Sequence, residues 1–259
     1  MTNNQNTNNG KILTIAIDGP VASGKSTVGQ LVAQKLNFQY LDTGIMYRAI
    51  TWLAYFSKTN IENHDEIKNQ IISNPIKILN KMGTQISLGG KILESELRSP
   101  LIDQLVSDVS KINVVRELLV EQQRSIAANS SGIVMVGRDI GTVVLKDAGL
   151  KIYLEASLQN RAQRRVVDRL KMGSPTTLPD MIEEIKKRDL IDSTRENSPL
   201  IAAKDALIID TDELDQNTVA ELISNHAKKI RSIYPLFTTC CEVWQGHALN
   251  YSERQVLKA

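Results

Sequence analysis

ILTIAIDGPVASGKSTVGQLVAQKLN, residues 12–37, divides into three parts. The first six residues are apolar and rich in β-branched side chains, and they stop at Asp18-Gly19-Pro20. That is the pattern of a buried strand ended by a turn. From Ser26 to Leu36, Val28, Leu31, Val32 and Leu36 fall at helical spacing, and Asn37 closes the helix. Between strand and helix, Gly19 to Ser26 fits G-x-x-x-x-G-K-[ST], the phosphate-binding loop. Gly19 and Gly24 let the backbone turn tightly and bring its N–H groups against phosphate oxygens. Pro20, Val21, Ala22 and Ser23 form the loop between them. Lys25 sets a cation between the β- and γ-phosphates, and the Ser26 hydroxyl is placed to ligate Mg²⁺. The helix that opens there, through Thr27, turns the positive end of its dipole toward the anion. A glycine-rich turn of this form arises by chance in about one chain per hundred. A strand before it and a helix after it are the context that a chance match lacks. The loop leaves the reaction open, since kinases, GTPases, ATPase motors and non-catalytic switches all use it.

Apolar runs recur at 133–136, 151–154 and 207–209, separated by helical or loop segments. Buried strands alternating with helices predict an α/β fold, a parallel sheet covered on both faces. Between about 57 and 105 the texture differs. PIKIL (75–79), TQISL (84–88) and KILE (91–94), joined by Met82-Gly83 and Gly89-Gly90, read as a small antiparallel β insert. Residues 103–128 are helical with a break at Asn113, and 158–171 and 180–192 are two more helices joined by Gly173-Ser174-Pro175. Residues 1–10 are too polar to bury and are expected to be disordered. Beyond Tyr234-Pro235 the periodicity fades, and 238–259 is an extension with no assignment.

With 259 residues, the chain is one large domain or two small ones. Its 31 Lys and Arg against 29 Asp and Glu leave +2, too weak a field for a dedicated nucleic-acid binder. The aromatic content of 4% also provides no stacking platform for single strands. No apolar run approaches the ~20 residues of a membrane span, and the polar start is no signal peptide, so a cytoplasmic location without a membrane partner is expected. Cys240 and Cys241 are adjacent, and His64, His226 and His247 are scattered, which gives a His/Cys metal site little support.

Other clusters narrow the chemistry. Leu41-Asp42-Thr43-Gly44 follows the first helix at the distance of a second strand, with Tyr47 and Arg48 on the opening turn of the next helix. Gly137-Arg138-Asp139 ends the 133–136 strand, where open α/β sheets bind ligands. Arg161, Arg164, Arg165 and Arg169 share one helical face, as do Arg188, Asp192 and Arg195. Singly, each is explained by a solvated face, an i,i+4 salt bridge or a turn residue. Beside a phosphate loop, so many arginines make more sense as anion clamps, because phosphoryl transfer between two phosphorylated molecules needs cations for donor and acceptor.

IDGPVASGKST (17–27), LDTGIMYRA (41–49), GRDIGTVV (137–144) and IKKRDLIDSTR (185–195) resemble the bacterial cytidylate kinases, nucleoside monophosphate kinases of the P-loop NTPase superfamily. The resemblance covers roughly residues 11–237. It implies a P-loop NTPase fold with the enlarged insert at 57–105, a helical lid at about 158–190, and phosphorylation of CMP and dCMP by ATP with Mg²⁺. It places the ATP phosphates on Gly19 to Thr27, with Arg161 and Arg165 in the lid and Lys25, Arg138, Arg188 and Arg195 as the catalytic cations. Base recognition is carried over to Ser107, Arg116 and Asp139, ribose contacts to Arg188 and Asp192, and the monophosphate clamp to Arg48, Arg138 and Arg195, with Asp42 and Tyr47 nearby. A carboxylate at Asp139 accepts from the cytosine N4 amine but opposes the uracil carbonyl. A monomer is expected. The family usually has Asp or Glu immediately before Gly-Arg-Asp; here stands Val136, from which weaker Mg²⁺ dependence or slower turnover is expected. The competing readings are a kinase preferring UMP or AMP, and a nucleotide-binding protein impaired in catalysis.

Overall fold

The computed structural model describes residues 13–83, 85–233 and 256–257. β1 (Thr14–Asp18) is its central strand, and the β-branched run read from the sequence accounts for its burial. Successive side chains alternate between two cores: Ala16 faces one, Ile15 and Ile17 the other, all three with 0% exposure. The loop then enters α1 (Lys25–Leu36), which ends on Asn37 in the left-handed conformation. β2 (Gln39–Asp42) leads into α2 (Thr43–Phe56), whose N-cap is Asp42: its side chain accepts from the Gly44 N–H at 3.0 Å.

The insert begins with a helix, α3 (His64–Ser73), capped by Asn63, ahead of the expected β segments. β3 (Ile76–Ile78), β4 (Ile86–Leu88) and β5 (Lys91–Leu93) then form an antiparallel sheet in that order. A 3₁₀ turn, Ser95–Arg98, precedes α4 (Pro100–Val109), which starts at the Ser99 cap with Pro100 in its first turn. α5 (Asn113–Ala128) follows, so the break falls just before Asn113 rather than at it, and the first of the two helices starts at Pro100 rather than 103. The second long crossover returns through β6 (Ile133–Gly137), a π-helical turn at Ile140–Val144, and β7 (Leu150–Glu155). α6 (Leu158–Lys171) and α7 (Leu178–Thr194), capped by Ser157 and Thr177, make a helical hairpin. β8 (Leu207–Asp210) and α8 (Gln216–Ile233) complete the main body.

The parallel sheet runs β2-β6-β1-β7-β8, and β9 (Val256–Leu257) pairs parallel with β8 at the edge. α1 and α8 cover one face, and α2 with the insert and α5 cover the other. This is the expected α/β P-loop NTPase fold, a parallel sheet flanked by helices with a small antiparallel sheet beside it. The adjacent cysteines and His247 lie outside the described residues. Among the described residues, no helix is long and apolar enough to cross a membrane.

Candidate active site

The carboxyl ends of β1 and β6 are neighbours, in register from Thr14↔Ile133 to Asp18↔Gly137. Two loops therefore leave the sheet side by side, the phosphate-binding loop and the Gly137-Arg138-Asp139 segment. Asp18, at the end of β1, joins them. It is 3% exposed and accepts from the N–H groups of Ile140 at 2.8 Å and Gly141 at 2.7 Å. Burial raises its pKa to about 6, against the lowering effect of those two amides. Thr43 Oγ1 pins the same segment from α2 by donating to the Val136 carbonyl at 2.9 Å.

Gly19 takes φ +150°, and a Cβ there would lie 2.3 Å from the Leu154 carbonyl oxygen, so the loop can pass β7 only with glycine. Gly24 (φ 90°) is the left-handed cap of α1. Lys25 Nζ donates to the Pro20 carbonyl at 2.6 Å and reaches Ser23 Oγ at 3.4 Å. Burial, then the like charge of Arg138, push the lysine well below its ordinary pKa. Ser26 Oγ donates to Asp42 Oδ2 at 2.8 Å, which puts a hydroxyl and a carboxylate together at the loop mouth.

A cleft of about 770 Å³ opens above these groups. At one end it is lined by Val21, Ala22, Gly24, Lys25, Ser26 and Thr27 of the loop, together with Asp42 and Arg165. At the other it is lined by Tyr47, Ser107, Arg116 and Asp139, with Arg48, Arg138, Arg188, Asp192 and Arg195 also on its walls. Gly19, Pro20, Ser23 and Arg161 shape the site without lining it. The arginine stripe on α6 fans out rather than meeting one target. Arg161 is buried and donates to Asp189 at 2.7 Å and to the Val21 carbonyl at 3.3 Å, so it ties the α6–α7 hairpin to the loop. Arg164 donates to the Thr211 carbonyl at 2.5 Å, whereas Arg165 and Arg169 both reach Asp103.

Arg116 and Asp139 form a buried ion pair through Arg116 Nη2 and Asp139 Oδ2. Among the described residues, Asp139 Oδ1 keeps only a 3.8 Å contact to Arg195 Nη2, an atom with no hydrogen-bond partner there. Tyr47, under the Arg116 guanidinium at 5.3 Å, has its pKa pushed up to about 12 by burial. Arg138 Nε donates to Asp192 at 2.9 Å. Burial acts to raise Asp192, but Arg138 and Arg188 outweigh it and hold the carboxyl below its ordinary range. Arg188 is pulled down to about 10 by burial and by the like charges of Arg138 and Arg48, and its buried Nε is unpartnered. Guanidiniums so crowded favour an anion among them.

The cytidylate kinase family model matches residues 15–229. The chain belongs to the cytidylate kinase family. It is 43% identical over 217 residues to the cytidylate kinase of Clostridium botulinum (strain Okra / Type B1), covering 84% of this chain and 98% of that one. To the cytidylate kinase of Caldanaerobacter subterraneus subsp. tengcongensis the identity is 43% over 215 residues, covering 83% and 94%. A third relative, the cytidylate kinase of Bacillus thuringiensis (strain Al Hakam), is 43% identical over 214 residues, covering 82% and 95%.

Within this family frame, Val136 is 1% exposed and packs toward α1, where a Cβ on Gly29 would lie 2.5 Å from Val136 Cγ1. Its neighbour in register on β2 is Asp42, the carboxylate that holds Ser26. Three carboxylates that organise the site escape the sequence reading: Asp18, Asp103 and Asp189. Asp18 closes the strand run directly before Gly19, and that adjacency was its only local signal.

Proposed function

We propose that this chain transfers the γ-phosphoryl group of ATP to CMP and dCMP, giving ADP and CDP or dCDP. The reading is carried by one observation: Lys25 of the phosphate loop and the Arg116–Asp139 pair line a single cleft, with Arg138 and Arg188 close enough to Lys25 to depress its pKa. In this reading the ATP phosphates lie along Gly19 to Thr27 under the α1 N-terminus. Arg165 approaches them from the lid, and Arg161 acts by holding the lid hairpin on the loop. The monophosphate lies among Arg48, Arg138 and Arg195, the ribose lies against Arg188 and Asp192, and Asp192 also orients Arg138. Ser107, Arg116 and Asp139 read the base. The acceptor oxygen is already anionic, so positioning and charge neutralisation carry the catalysis and no general base is needed.

Helices α6 and α7, about residues 158–190, serve as the lid, and the segment at about 57–105 serves as the monophosphate-side insert, both within a kinase domain spanning 11–237. A lid that excludes water keeps the γ-phosphoryl group from hydrolysis. Ser26 and Asp42 offer the hard oxygen donors that Mg²⁺ takes, and would hold it beside the triphosphate. When bound, Mg²⁺ neutralises charge on the β- and γ-phosphates. The protein acts as a monomer in the cytoplasm.

A coupled ADP-release assay with CMP, dCMP, UMP, AMP and GMP tests the proposal. CMP and dCMP are expected to give the highest kcat/KM. Faster turnover of UMP or AMP refutes the cytidine assignment, and tight binding of ATP and CMP without transfer refutes the enzyme.

A further inference from the structure

Asp103 is not among the residues expected to touch a substrate, yet it is the most heavily engaged carboxylate in the cleft wall. Its side chain, on α4, is 3% exposed. Arg48 Nη2 reaches it from α2 at 2.5 Å, Arg169 Nη2 reaches it from α6 at 3.3 Å, and Arg165 Nη2 donates to it from α6 as well. Burial alone would raise its pKa, but Arg48 and Arg165 outweigh that effect and hold it below the ordinary carboxylate range. α6 packs chiefly on α7, and α4 chiefly on α2 with a smaller contact to α7. The carboxylate adds to that slight α4–α7 contact an ionic link that reaches α6 and α2 together. Guanidinium donors form a rigid fork, so fixing one edge aims the other.

We propose that Asp103 is a positioning residue that couples the two substrate sites, by tying the lid arginines Arg165 and Arg169 to the monophosphate-side Arg48. The inference rests on the functional reading above, in which Arg165 serves the triphosphate and Arg48 the monophosphate. An anion that draws Arg48 toward its bound position then carries Asp103, and through it the lid, toward the position the other nucleotide needs. Such coupling is reciprocal between the two ligands.

Calorimetric binding of the non-hydrolysable β,γ-imido analogue of ATP, with and without saturating CMP, tests this in the unaltered chain and in Asp103→Asn. CMP is expected to tighten analogue binding by about fivefold or more in the unaltered chain, and by less than about twofold in the variant. A purely structural role would weaken both affinities and leave their ratio alone. Coupling retained by Asp103→Asn, or absent from an unaltered chain that binds both ligands, overturns the inference and leaves the functional reading standing. An unaltered chain that binds no CMP overturns both. Should Asp103→Asn fail to fold by circular dichroism, Arg169→Gln removes one of the two lid contacts to Asp103, together with the Glu184 pair, while leaving Arg48 and Arg165 bound to the carboxylate. There the coupling is expected to fall by about half or more, and an unchanged value refutes the proposal.

Discussion

Replacing Asp139 with Asn separates reading the base from holding the wall. The carboxylate is 4% exposed; its Oδ2 is bonded to Arg116, while Oδ1 has only the 3.8 Å contact to Arg195. In the proposed complex Oδ1 accepts from the cytosine amine. A hydrogen bond to a charged group contributes about 1.5–3 kcal/mol, so its loss lowers kcat/KM for CMP by about ten- to a hundredfold. An asparagine can turn its amide N–H toward the uracil carbonyl, which raises kcat/KM for UMP by about tenfold, one ordinary hydrogen bond. Together the CMP-to-UMP preference falls by at least about a hundredfold. The change also removes the charge opposite buried Arg116. Breaking a buried ion pair costs about 3–5 kcal/mol when nothing replaces the partner. Here Asn still accepts one bond, and Arg116 keeps the Ser110 carbonyl at 3.2 Å and the Tyr47 ring. A thermal melt beside the steady-state assay separates that loss from specificity. If CMP turnover falls while the CMP-to-UMP ratio stays within about twofold of the unaltered chain, well short of the shift one hydrogen bond gives, Asp139 serves Arg116 alone and the base assignment is wrong.

Asp18 carries a pH signature. Its folded pKa of about 6 lies above the ordinary 3.8, so the folded chain holds the proton more tightly than the unfolded one. The group's contribution to stability is therefore full below about pH 4 and is lost as pH rises through about 6, on the order of 3 kcal/mol in total. Melts of Asp18→Asn should lack that slope, and an identical slope in both proteins removes the assignment. Protonation also weakens the carboxylate's hold on the Ile140 and Gly141 amides. kcat/KM of the unaltered chain is accordingly expected to fall below about pH 6, and a pH-independent rate from 5 to 7 contradicts it. Gly19→Ala places a methyl 2.3 Å from the Leu154 carbonyl; stability is expected to drop by about 1–3 kcal/mol, with ATP affinity lost, and a melt and ATP titration like the parent's exclude that reading of the loop. Val136→Asp sets a carboxylate in register with Asp42 and against Gly29, which lies on α1 with Ser26; the Mg²⁺ concentration for half-maximal rate is expected to fall, and an unchanged titration and kcat dispose of the idea that Val136 weakens metal binding.

The strand, loop and helix of residues 12–37 were legible from one stretch of chain because each is written in neighbours a few positions apart. Apolar β-branching makes the strand, glycine spacing makes the loop, and a 3.6-residue period makes the helix. The insert's β segments were legible for the same reason. α3 carries its own signals in Asn63, which caps it through the Glu66 N–H, and in Ile67 and Ile71 on one face, but at ten residues it is short and only those two side chains are buried. The split of one arginine stripe among three targets was not legible at all. Helical spacing says that Arg161, Arg164, Arg165 and Arg169 share a face, but which partner meets each depends on how α6 lies against α4, α7 and the end of β8. Asp103 and Arg165 are separated by 62 residues, and Asp18 and the Ile140 amide by 122. Local sequence could name the arginines of this cleft, since charge and motif are properties of the residue itself, but not Asp18, Asp103 or Asp189. Partnership is a property of the packed sheet and helices, because short-range ionic contact is made only after the hydrophobic layers have set the distances.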